Sequence, residues 1–174
     1  FTSASVIEEF LPSVGTPAVL AGRYVDSTTS TGSFAGNLLA AMISSGFDNC
    51  GIGFSGSNCE TRLTDLCFID NGTCAGFSVG QVLDAANYLI GDCRSLCTTT
   101  GNLPQELCSL SLSDMNSCVD TLNNAFDDGT KNSGKIGTCA SIVETSKNQG
   151  ATNDAHAAAY CASLVLFSAL VAWF

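Results

Sequence analysis

Nine cysteines fall between Cys50 and Cys139, and a tenth, Cys161, follows near the C-terminus. Ten thiols in 174 residues read as a disulfide framework, and so as a protein of an oxidising compartment, outside the cell or on its surface. A metal site is the competing reading, and it fails on spacing. Cys93 and Cys97 form a CxxxC pair, no CxxC occurs, and the one histidine, His156, has no second ligand near it in sequence. Cys50, Cys59, Cys67, Cys74, Cys93, Cys97, Cys108, Cys118, Cys139 and Cys161 are therefore expected to pair with one another, with the connectivity left open.

The second constraint is the uncharged stretch 157–174, AAAYCASLVLFSALVAWF. As a helix its eighteen residues span about 27 Å, close to the roughly 30 Å of a bilayer core. Its seven Leu, Val and Phe residues favour insertion by roughly 2–4 kcal/mol, which is marginal. Ala158, Ala162, Val165, Ala169 and Ala172 recur at heptad-like spacing and make a stripe of small residues. Tyr160, Leu164, Phe167, Val171 and Phe174 make a bulky stripe with the same spacing, the seam of a helical bundle. Asn153 is suited to cap this helix, and Asp154 places a negative charge in its first turn.

Several fates compete for that end. It is a retained helix packed against copies of itself, or, more plainly, a buried core helix of one domain. Alternatively it is a glycolipid-anchor (GPI) signal, with Asn148 and Gly150 suited to the attachment site, or a helix held in a membrane. The retained, packed helix leads. Removing the tail takes Cys161 with it and leaves nine cysteines, an odd number. A chain running from Phe1 to Phe174 reads as a mature one, trimmed of a signal peptide and still carrying its tail.

Sixteen acidic residues face six basic ones, for a net charge of −10. Such a surface repels phosphate backbones, so no nucleic-acid partner is expected. Charged residues make only 13% of the chain, about half the usual share, and Ser, Thr, Gly and Asn are abundant, which suits an extracellular surface.

Taken in order, the chain divides into a cysteine-free N-terminal segment (1–49), a disulfide-rich helical domain (50–147), and a hinge with the hydrophobic C-terminal helix (148–174). Residues 4–11 suit one or two helical turns, broken by Pro12 and Pro17. Residues 18–25 suit a short strand or a helical turn, and 26–33 a polar loop. Phe34–Ser45 has helical spacing, with Gly46 as its C-cap. Residues 60–68 are expected to be helical. Asn71-Gly72-Thr73 is an N-glycosylation sequon in a turn-like context. Ser78-x-x-Gln81 is a capping box that opens a helix running to about Cys97, with Val82, Leu83, Ala86, Leu89 and Ile90 inward. Pro104 opens a short helix through Cys108, and Ser113 another to Phe126, with Met115, Cys118, Val119, Leu122 and Phe126 inward. Thr138–Lys147 is expected as a last short helix.

The fold class expected is mainly α: a disulfide-rich bundle of short helices with a long hydrophobic C-terminal helix. No catalytic signature survives inspection. The GxGxxG match at Gly51–Gly56 follows no strand, Ser55 lacks the second glycine of a nucleophile elbow, and Asp127-Asp128 lacks an EF-hand ligand order. No cofactor and no enzymatic activity are expected. The function expected is a secreted structural subunit, glycosylated at Asn71, that self-assembles into a filament or oligomer through Ala158, Ala162, Val165, Ala169 and Ala172 with Leu164, Phe167 and Val171. The alternatives are a GPI-anchored surface binding protein and a small secreted lipid carrier with an apolar cavity.

Overall fold

The computed structural model describes residues 1–22, 32–49, 61–125 and 133–139. They are mainly helical: α1 (Ala4–Phe10), α2 (Ser33–Asn49), α3 (Val79–Ile90), α4 (Arg94–Thr99), α5 (Gln105–Cys108) and α6 (Leu112–Asn123). A 3-10 turn, Leu63–Asp65, leads into β1 (Leu66–Phe68), which pairs antiparallel with β2 (Ile136–Thr138).

The helix α3 begins where its local chemistry dictates. The Ser78 hydroxyl accepts the Gln81 N–H, and the Gln81 side chain accepts the Ser78 N–H in return, which satisfies two amides that the first turn leaves without partners. The helix then buries Val79, Val82, Leu83, Ala85, Ala86, Leu89 and Ile90, the inward face expected with Val79 and Ala85 added. It stops earlier than expected. Asp92 turns the backbone to φ 56°, Cys93 becomes the N-cap of α4, and Cys93 and Cys97 no longer share one helix face. The α6 boundary shifts too. Ser111, not Ser113, caps it by accepting the Asp114 N–H. Met115, Cys118, Val119 and Leu122 are buried as expected, while Phe126 lies outside the described residues.

Three helices form the centre. α2 and α3 both pack on α6 and on each other, and Phe34, Val79, Val82, Leu89, Met115 and Val119 are fully buried among them. Each such large side chain contributes about 1.5–3 kcal/mol over its exposed state. The N-terminal segment, set apart in the sequence by its lack of cysteine, thus supplies one helix of the same core. Its helix α2 does not end at Gly46 but runs through it to Asn49, because burial on both α3 and α6 outweighs the roughly 1 kcal/mol that an interior glycine costs. Two side-chain bonds fix α2 on α6: Asn37 Nδ2 donates to Asn116 Oδ1 at 3.1 Å, and Asn123 Nδ2 donates to the Asn37 carbonyl at 2.9 Å.

Ahead of α2 the chain turns sharply. Leu11–Pro12 is a cis peptide bond, and residues 13–15 come back against the start of α2. Ser33 N–H donates to the Gly15 carbonyl, and the Ser13 hydroxyl donates to that of Gly32. Gly32 holds φ 117°, and a Cβ there would sit 2.1 Å from the Thr16 carbonyl oxygen. Residues 18–22 are irregular, with the Leu20 N–H donating to the Ile90 carbonyl at the end of α3.

The sheet departs from the sequence reading. Residues 61–68 form no α-helix; they make the 3-10 turn and β1. Thr138 likewise ends β2 rather than opening a helix, and residues 140–147 lie outside the described residues. The register sets Cys67 opposite Gly137 and Phe68 opposite Ile136, with Phe68 and Ile136 buried on the helices. The two three-residue strands, LCF and IGT, lie beside the Cys67–Cys139 link, which holds them together.

Candidate functional site

The expected disulfide framework is the first candidate feature to be built. Cys67 bonds Cys139, Cys74 bonds Cys118, and Cys97 bonds Cys108, and Cys93 is disulfide-bonded as well. The three bridges join β1 to the end of β2, the loop before α3 to α6, and α4 to α5. Arg94 reinforces the last of these. Its Nη1 donates to the carbonyls of Cys108 and Leu110, at 2.5 and 2.7 Å, and so satisfies the otherwise open C-terminal end of α5. Cys50, Cys59 and Cys161 lie outside the described residues.

The sequon is the second. Asn71, Gly72 and Thr73 are all exposed on the loop between β1 and α3, where Asp70 Oδ1 accepts the Gly72 N–H at 3.3 Å. The loop is anchored on either side by Cys67 and Cys74, each buried in its bridge. Ile69, two residues before Asn71, is 51% exposed, one of the few large apolar side chains that are.

The third was not read from the sequence. An open groove of about 490 Å³ lies between the α1–α2 elbow and α6, lined by Leu11, Pro12, Asn37, Ser44, Asp120 and Asn123 among others. The Asn123 and Asn124 amides are oriented unambiguously, since each donates to a backbone carbonyl, of Asn37 and of Asp120. Their oxygens, with the Asp120 carboxylate, make the rim rich in acceptors. Such a rim suits a ligand with several donors, set beside the apolar Leu11, Pro12 and Ala40. The signal lay in Asn116, Asp120 and Asn123, spaced four and three along the polar face of α6. The Ser44 hydroxyl donates to the Ala40 carbonyl, one turn back in α2.

Among the described residues, no group of three or more His, Cys, Asp or Glu side chains is placed to hold a metal ion, and no helix is long and apolar enough to cross a membrane. The self-association residues expected in the tail, Ala158, Ala162, Leu164, Val165, Phe167, Ala169, Val171 and Ala172, lie outside the described residues, as do His156 and the Asp127-Asp128 pair. No protein-family model matches the chain, and neither a similar curated protein nor a similar solved structure is found.

Proposed function

We propose that the chain is a secreted, non-enzymatic structural subunit, with a disulfide-stapled helical head and a hydrophobic C-terminal helix through which copies associate. One observation supports it above the rest. The long helices of the head, α2, α3 and α6, bury their apolar faces on one another, so the head has a core made of its own elements. On this reading the apolar stretch 157–174 finds its cover outside that core. Covering on the order of 1,000 Å² of it contributes on the order of 25 kcal/mol before ordering costs, far more than one protein in water leaves ungained. Copies of the same chain are the partner that its small-residue and bulky stripes suit. The disulfides fit an extracellular location.

The test is made on the full chain. Ala162→Trp and Ala169→Trp fill the small stripe, and light scattering should show particles of the parent collapsing to smaller species in both variants. An unchanged particle size in both sinks the proposal. Release of the native protein from membranes by a phospholipase specific for glycolipid anchors would assign the tail to an anchor signal instead.

A further inference from the structure

Two facts about the loop between β1 and α3 stand apart until they are put together. The first is chemical access. Asn71 and Thr73 are exposed, and neither the Asn71 amide nor the Thr73 hydroxyl is engaged in a hydrogen bond by the described protein. Asparagines elsewhere are used differently: Asn37, Asn123 and Asn124 each donate within the fold. The one other Asn-x-Ser/Thr/Cys triplet in the described residues that lies on an element, Asn116-Ser117-Cys118, is helical, its amide accepts from Asn37, and its cysteine is consumed by a bridge. The second fact is an exposed isoleucine. Ile69 lies across β2, its Cδ1 2.8 Å from where a Cβ on Gly137 would be, and its outer face meets solvent. Its own backbone is fixed, since Ile69 N–H donates to the Lys135 carbonyl at 2.9 Å.

We propose that Asn71 carries an N-linked glycan and that Ile69 is the platform on which its first sugar rests. In the transfer, Asn71 Nδ2 loses a proton and bonds C1 of an N-acetylhexosamine, as the C1–O bond to a lipid diphosphate donor breaks and the diphosphate leaves. Thr73 supplies the hydroxyl that the transferase reads two residues on, and Gly72 between them puts no side chain in the way. Asp70, between Ile69 and Asn71, holds the chain in its turn through the Gly72 N–H. The apolar face of a pyranose ring, with its axial C–H bonds, then covers the exposed part of Ile69 and removes it from water. The bridges at Cys67 and Cys74 hold this loop still, which limits the entropy that the contact must overcome.

The inference rests on the secreted reading, and the first measurement separates the two. Peptide mass mapping of the native protein reports both its disulfides and the mass at Asn71. A hexosamine-bearing peptide is the expected result. Intact bridges with a bare Asn71 overturn the glycan alone, whereas free thiols overturn the secreted reading. The platform is then tested in full chains made in a glycosylating secretory host: parent, Thr73→Ala, Ile69→Ser, and the double variant. Thr73→Ala should lose the glycan mass and lower the melting temperature by about 2 °C. In the Ile69→Ser background the loss of the glycan should make no such difference. An equal shift in both backgrounds overturns the role of Ile69.

Discussion

The two ends of the head are held by different means. The elbow that sets α2 on the core, residues 13–16 against 32–36, has no disulfide among the three bridges; it is closed by backbone approach, with a Cβ at Gly36 only 2.2 Å from Ser13 Cβ. The region from 67 to 139 is closed covalently. The difference follows element length. α2 is 17 residues long and has enough apolar face to hold itself on α6. The strands are three residues each, α5 is four and α4 is six, too short to persist without help, and two of the three described bridges, Cys67–Cys139 and Cys97–Cys108, fall on these. Two of the described bridges thus close elements too short to hold themselves by burial, while the third ties the loop before α3 to the longer α6.

That contrast is breakable. The largest effect should come from Cys74→Ala with Cys118→Ala, which reopens a separation of 44 residues and should lower unfolding free energy by about 4 kcal/mol in a denaturant titration. Gly32→Ala attacks the other end. A Cβ at φ 117° against the Thr16 carbonyl should cost about 3 kcal/mol, and hydrogen exchange should show the loss first in α2. If exchange instead accelerates equally in α4 and α5, the two ends are one cooperative unit and the contrast is lost. Ser78→Ala removes half of the capping box and should lower stability by about 1 kcal/mol, visible as a shift in the denaturant midpoint with unchanged slope.

The smallest effect concerns Asp84 on α3. Its residue is exposed at the edge, yet the surrounding protein strips enough water from the carboxyl to raise its pKa above the usual 3.8. The folded chain therefore holds this proton to a higher pH than the unfolded chain does. Its contribution is most favourable below the unfolded value and is lost as pH rises through the folded one. Asp84→Asn should raise the melting temperature slightly at pH 7 and not at pH 3; a loss at pH 7 would mean the carboxylate has an attractive partner.

How far the fold was legible depended on how local each signal was. The Ser78–Gln81 cap and the inward face of α3 are written within single turns, and both are found. Gly46 was misleading because what carries α2 past it is distant packing on α3 and α6. The strands left no period to detect, since three residues show neither alternation nor length. The cysteine pairs were readable as a number and a compartment, while their partners, 11 to 72 positions apart, depended on the finished fold. The groove acceptors were visible as a polar face of α6, but the elbow that completes the groove was not.

The Cys67–Cys139 bridge encloses Cys74–Cys118 and Cys97–Cys108 within one covalent ring. A protease that cuts once anywhere between residues 68 and 138 therefore opens the ring without freeing a fragment, because both halves stay joined through sulfur. A nick in the loop between α4 and α5 is bridged three times over. Cleavage of the head would show as an unchanged band in a gel until a reductant is added.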